Sequence, residues 1–252
     1  MKTTAKLFII AFFGFILCSA VTKKESQSLK ILTYNIFSAK GVDGVIDYNR
    51  IADFITSCDL DVAAIQELDS AMERSNGVYM LEEIAKKTGM HYTFRASLER
   101  QGGKFGLGIL SKEKPVSSKA IALPGRDEAR SLLIVEFKDY FMFCTHLSQN
   151  GEDRLSSATI INDELKKLST EKPVFFGGDF NALPSSAPMK ELYKSWEVLN
   201  DTASYTLPPG KPNRCIDFVL VNRPYKVEVK KAQVFDIPLA TWHLPVLVEV
   251  EF

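Results

Sequence analysis

The 252-residue sequence has no surplus of either charge: 31 Lys and Arg stand against 31 Asp and Glu. Holding a polyanion through many phosphates requires clustered cations, and the densest basic groups, Lys166-Lys167 and Lys226 with Lys230-Lys231, are small. An extended nucleic-acid track is therefore disfavoured, whereas a single phosphoester in a pocket needs none. Cysteine is sparse. Cys58, Cys144 and Cys215 follow residue 20, an odd number set in apolar runs (FITSCDLDVAAI, YFMFCTHL, RCIDFVLV). That placement argues for buried free thiols rather than a disulfide framework, with one disulfide in an oxidising compartment as the alternative. There is no sequence repeat or low-complexity segment, and the apolar run at 7–17 falls short of the ~20 residues that span a bilayer, which disfavours a stable membrane span.

What the N-terminus does contain is Lys2 and Lys6 ahead of that run and Cys18-Ser19-Ala20 behind it. This is the layout of a secretory signal peptide cleaved after Ala20, so a secreted or periplasmic protein is expected. Lipid attachment at Cys18 is the competing layout, disfavoured by Leu17 where a small residue is wanted. Removing residues 1–20 leaves 29 basic against 31 acidic residues. A polar linker at 21–28 then leads into one domain at 29–252, for which 46% hydrophobic and 11% aromatic residues supply an ample core.

LKILTYNI and DVAAIQE read as buried strands, with a helix between them over 47–57 and a second helix over 77–88. A strand-rich middle follows (HYTFRAS, FGLGILS, VSSKAIALP, SLLIVEF, YFMFCTHL), broken by turn signals such as QGGK and KEKP, and consecutive strands imply antiparallel pairing. A helix over 153–168, the short run PVFFGGDF, a helix at 189–193 and the strands CIDFVLVN, KVEVKKAQVF and PVLVEVEF complete the chain. Two halves that each pass from helix-bearing segments into strands predict an α/β four-layer sandwich: two packed mixed β-sheets flanked by helices.

Polar groups suited to a hard cation and a phosphate recur at what read as the C-terminal ends of apolar strands: Asn35, Glu67, His146, Asp179 with Asn181, and Asp217. Singly, each is an ordinary loop cap or turn former; jointly they describe a site held on rigid strand ends. Magnesium prefers oxygen ligands and uses one or two carboxylates. Glu67 fits the firm ligand, and Asn35 would add an amide oxygen to the same ion. In GGDFN, residues 177–181, two glycines admit a close backbone while Asp179 and Asn181, two apart, would face one phosphate. His146 and His243 are two of only three histidines, and histidine suits proton transfer near neutrality. Asp217 in CIDFVLV is a costly place for an unpaired charge, a cost that aligning His243 would remove. His91 has no such company and reads as structural. Arg130, in EARSLLIVEF, has the reach to meet a substrate phosphate, but an Arg opening a strand more often serves as a surface ion-pair donor, and it is left outside the site.

In order along the chain, LTYNI, QE, the run at 106–112, THL, GDFN, IDFVLV and HLPV resemble the motifs of the endonuclease/exonuclease/phosphatase superfamily. The resemblance implies the deoxyribonuclease I-like sandwich and a divalent ion, Mg2+ or alternatively Mn2+, on Glu67 with help from Asn35. It also implies in-line attack of water. Asp179 would hold or activate that water, Asn181 and His146 would bind the phosphate, with His146 aiding the leaving group, and His243, aligned by Asp217, would act as base or stabiliser. Which of Asp179 and His243 is the base stays open. Two departures stand out: Thr241-Trp242-His243 replaces the usual Ser-Asp-His, and Leu107 stands where many members carry Asn. The expected protein is an exported monomer that hydrolyses a small-molecule or lipid-linked phosphoester. A secreted nuclease and a catalytically impaired phospho-ligand-binding protein are the alternatives.

Overall fold

The computed structural model describes residues 26–237 and 240–252; the expected signal peptide, its Cys18 and most of the polar linker lie outside them. Five strands run from the first segment to the middle of the chain: β1 (Ser28–Asn35), β2 (Val62–Ser70), β3 (His91–Arg100), β4 (Gly103–Ser111) and β5 (Ser117–Leu123). Then follow β6 (Arg130–Glu136), β7 (Phe141–His146), β8 (Val174–Asp179), β9 (Trp196–Val198), β10 (Asp217–Asn222), β11 (Glu228–Val234) and β12 (Val246–Glu251). Four α-helices interrupt them: α1 (Tyr48–Cys58), α2 (Met80–Thr88), α3 (Gly151–Leu168) and α4 (Ala187–Leu192).

One six-stranded sheet has the order β11-β12-β1-β2-β4-β3 and the other β5-β6-β7-β8-β10-β9. Each contains one parallel pair, β1 with β2 and β7 with β8, joined by the crossover helices α1 and α3 respectively. The remaining pairs are antiparallel. Strands covered on both faces read as nearly unbroken apolar runs, as in VFFGGD of β8, where every residue is buried. Asp47 caps α1 by accepting from Asn49 N, and Asn150 caps α3 by accepting from Glu152 N and Asp153 N, each satisfying donors that a helix start leaves free.

Three apolar layers result. Ile31, Ala64, Ile109, Met142 and Val219 fill the space between the sheets. Leu32, Ile51, Ile55 and Ile84 seal α1 and α2 to the first sheet, and Phe143, Ile161, Phe176 and Trp196 seal α3 and α4 to the second. The four layers anticipated from the sequence are thus helix, sheet, sheet, helix. A Cβ on Gly177 would lie 2.9 Å from Ala64 Cβ and 3.1 Å from Met142 Cε, so this glycine lets the sheets close directly beneath the strand ends. Leu107 faces this inter-sheet core rather than the polar site. Cys144 and Cys215 are buried free thiols as expected, and Cys58 is free but only half-buried. Among the described residues no helix is long and apolar enough to cross a membrane.

Candidate active site

The parallel and antiparallel registers bring six of the singled-out side chains to one end of the sandwich. Asn35 closes β1, and Glu67 sits beyond its register partner Gln66 on β2. His146 closes β7 opposite Asp179, which closes β8. Asp217 does not close a strand, as the sequence reading had it; it opens β10, and the antiparallel register of β10 on β8 sets it opposite Asp179. His243 lies in the loop before β12, whose antiparallel pairing with β1 brings it back to Asn35. Thr241 fastens that loop, its Oγ1 donating to Asn35 O at 3.0 Å while accepting from His243 N at 3.3 Å.

Asp179 is the hub. Its Oδ2 accepts from Asn35 Nδ2 at 3.0 Å and lies 3.4 Å from His146 Nε2 and 3.7 Å from His243 Nε2. Its Oδ1 accepts from Asn181 N at 2.9 Å. Asp217 takes His243 Nδ1 between both carboxylate oxygens, at 3.1 and 3.0 Å. Asn35 Nδ2 also donates to Glu67 Oε1 at 2.9 Å, so one amide ties a carboxylate of each sheet together.

Two details depart from the sequence reading. Asn35 presents its amide nitrogen to the carboxylates while its oxygen accepts from Phe37 N at 3.0 Å; the oxygen expected on a cation is engaged by backbone. Asp179 and Asn181 are not alternate residues of one strand, because β8 ends at Asp179 and Asn181 has φ 48°. Its Nδ2 donates to Leu147 O at 2.9 Å, fixing the amide beside the site rather than on a common strand face. Glu67 likewise has φ 59°, where the β2–β4 register slips between Ile65 and Leu68. Non-glycine residues in the left-handed region carry local strain, and here two of them are site residues.

The electrostatics separate the two histidines. Burial pushes His146 down to about 3, its partial rescue by Asp179 notwithstanding, so its ring is neutral. His243 is also penalised by burial, but Asp217, then Asp179 and finally Glu67 outweigh that penalty and raise it to about 9. Its ring is therefore a cation at neutral pH. Burial raises the Glu67 carboxyl, Asn35 opposes that, and Asp179 adds to it.

A divalent cation suits this donor set. Glu67, Asp179 and Asp217 concentrate three carboxylates, and burial, with a smaller contribution from Asp179, makes the charged form of Glu67 costly without a further cation. Asp179, Asp217 and His243 offer ligand atoms within 4.8 Å of one another. His243 Nδ1, however, is already committed to Asp217, and hard cations prefer oxygen. Glu67 with Asp179 is the better pair of oxygen donors.

A cleft of about 370 Å3 opens over Glu67 and His146, and it adds residues the sequence reading left out. Arg74, Arg100 and Arg130 all line it. Arg130 is buried, its Nη1 bonded to Glu128 Oε1 at 3.1 Å, and its Nε has no partner among the described residues; the ion pair expected from sequence is present, but it is buried at the cleft rather than on the surface. Arg74 is held by Asp69 through Nε at 2.8 Å and Nη2 at 2.6 Å. Nothing in the spacing of these arginines distinguishes them from surface cations. His91, at the far end of β3 opposite Ser111, is exposed and remote from the site. Trp242, the residue in place of the usual acid, is 45% exposed and packs edge-on against Phe37, which also lines the cleft.

Comparison with known proteins agrees with this architecture. A model of the endonuclease/exonuclease/phosphatase family matches residues 32–237. Protein angel of Drosophila melanogaster is 26% identical over 152 residues, which cover 53% of this chain and 42% of that protein, so the chain spans about two fifths of that relative. Among solved structures, an endonuclease/exonuclease/phosphatase family protein from Bacteroides thetaiotaomicron superposes with a TM-score of 0.76 at 18% identity, covering 90% of this chain and 96% of that one. A mannosyl-6-phosphatase from the same species gives 0.74 at 17% identity, covering 89% and 100%. At these identities the structures show a shared fold.

Proposed function

Because this chain belongs to the endonuclease/exonuclease/phosphatase family, we propose that it is an exported, magnesium-dependent hydrolase of small-molecule or lipid-linked phosphoesters. The observation that carries the proposal is the convergence of Asn35, His146 and His243 on a single oxygen of Asp179, beside the Glu67 carboxylate and beneath a cleft lined by Arg130.

In this reading Asp179, its carboxylate fixed by Asn35 and by Asn181 N, aligns the attacking water and accepts its proton. The water oxygen bonds to phosphorus as the ester oxygen leaves from the opposite side. His243, kept protonated by Asp217, is a donor to the negative charge that accumulates on the phosphoryl oxygens, which makes it a stabiliser rather than the base. Neutral His146 donates a hydrogen bond toward the leaving oxygen, and Arg130, which lines the cleft, places its guanidinium charge beside the phosphoryl oxygens. A divalent ion on Glu67 and Asp179 would supply Lewis-acid charge neutralisation. Preorganised donors of this kind supply the largest share of rate enhancement at such centres.

The near-zero net charge supports a small substrate, as does the likeness to a mannosyl-6-phosphatase. The test is a phosphoester panel containing sugar phosphates, nucleotides, phosphoinositide, sphingomyelin, DNA and RNA. It is run with Mg2+ or with EDTA on the wild type and on Asp179→Asn. Mg2+-dependent turnover of a small or lipid-linked ester, lowered by about 100-fold or more in the variant, is expected. A second reading, a phospho-ligand-binding protein, is favoured by the exposed Trp242 where the family carries an acid; equal inactivity of both proteins across the panel would select it.

A further inference from the structure

A second cavity of about 630 Å3 adjoins the catalytic cleft, and its lining includes Tyr79, Phe94, Glu99, Arg100 and Lys104. Arg100 lines both spaces. The cavity is built on the β3–β4 hairpin, whose two turn residues, Gln101 and Gly102, both have left-handed backbones (φ 48° and 72°). That is the two-residue turn that matches the twist of paired strands.

The hairpin is seated firmly on the segment that leaves β2, the strand of Glu67. Glu73 N donates to Gln101 O at 3.1 Å. A Cβ on Gly103 would lie 2.4 Å from the Ala71 carbonyl carbon, so the backbones meet there without room for a side chain. The cavity is therefore preformed and fixed relative to the site.

Its chemistry is mixed in a particular way. Tyr79 is 57% exposed and Phe94 half-buried, giving aromatic surface to one wall. Lys104 has no acidic partner among the described residues. Glu99, Arg100 and Lys104 leave the lining with one net positive charge. Arg100 Nη2 bonds Glu128 Oε2 at 3.1 Å, and the other oxygen of Glu128 holds Arg130 of the cleft at 3.1 Å. A continuous chain of cation, carboxylate and cation thus leads from the cavity to the cleft that Arg130 lines.

Building on the hydrolase reading, we propose that this cavity is a second substrate subsite, which accepts the remote end of a phosphoester bearing a flat ring and a second phosphate. The ring lies on Tyr79 and Phe94, and the second phosphate pairs with Lys104 and Arg100 while the scissile group occupies the cleft.

The test is calorimetric binding of adenosine 3′,5′-bisphosphate and adenosine 5′-monophosphate, with Mg2+ present, to protein carrying Asp179→Asn so that neither probe is consumed. Bisphosphate binding about tenfold tighter than monophosphate binding is expected. Adding Lys104→Gln should reduce that preference to about twofold or less, and adding Tyr79→Ala should weaken both probes by about fivefold. In otherwise wild-type protein, Lys104→Gln should leave turnover of 4-nitrophenyl phosphate unchanged. Equal binding of the two probes, no binding of either up to millimolar concentration, or a preference untouched by Lys104→Gln overturns the subsite. Normal turnover of 4-nitrophenyl phosphate with no bisphosphate preference removes the subsite alone. A Lys104-dependent preference without turnover of any ester removes the hydrolase reading and keeps the subsite.

Discussion

Replacing Asp217 by Asn keeps the shape of the buried side chain and removes the charge that faces His243 Nδ1 at 3.1 and 3.0 Å. In the wild type His243 stands at about 9 against an ordinary 6.5, because the carboxylates outweigh burial. A pKa raised on folding means that the folded state binds a proton that the unfolded chain has released. The associated stability is complete below about pH 6.5 and is lost as pH rises through about 9. Its size is roughly 3 kcal/mol, at about 1.4 kcal/mol per pKa unit. In Asp217→Asn the burial penalty persists while the largest opposing charge is gone, so His243 should titrate below about 7. Two assays in EDTA follow this directly. NMR of the His243 ring reports its titration, and urea unfolding at pH 6 and pH 9 reports the linkage. The loss of stability between those pH values should shrink by roughly 2–3 kcal/mol in the variant. With Mg2+, kcat should fall by about 100-fold or more. A His243 that still titrates near 9 in the variant, or an unchanged pH dependence of unfolding, would refute the coupling.

Two further outcomes follow from the same geometry. Gly177→Val places a branched side chain where even a Cβ meets Ala64 and Met142 at 2.9 and 3.1 Å; it should cost about 2–3 kcal/mol in chemical denaturation, and a loss under about 0.5 kcal/mol would mean the sheets are not held together there. Trp242→Asp restores the acid that the family carries beside His243, so the Mg2+ concentration for half-maximal rate should drop several-fold, and an unchanged requirement would separate that residue from ion binding.

The central strands were legible because both faces are covered, which leaves apolar runs such as ILTYN, VAAI and VFFGG standing clear of their surroundings. The three-residue β9 was not, since Trp196–Val198 carries too few residues to show a period. The longer helices were legible from their apolar spacing, although α2 begins at Met80 rather than at 77 because the chain makes a 3-10 turn and a bridge first. Among site residues, the acids and histidines drew notice because buried charge demands a reason. The direction of approach did not. Asp217 and His243 reach the site from the starts of their strands, a fact that depends on which neighbours pair antiparallel. Nor could side-chain polarity show that Asn35 turns its nitrogen to the carboxylates, which follows from Phe37 N capturing the oxygen. The arginines were hidden for a further reason: Arg74, Arg100 and Arg130 are 26 and 30 residues apart, and only the fold gathers them at one cleft.

The claim beneath all of this is that Glu67 and Asp179, carried by different sheets, hold one divalent ion next to the phosphate position. Anomalous diffraction from a crystal of the protein soaked in Mn2+ tests it most directly. A single strong peak within about 2.3 Å of carboxylate oxygens of both Glu67 and Asp179 is the result expected for a hard cation on oxygen donors. A peak bonded to His243 and Asp217 with none at Glu67, or no peak at this end of the sandwich, would contradict it.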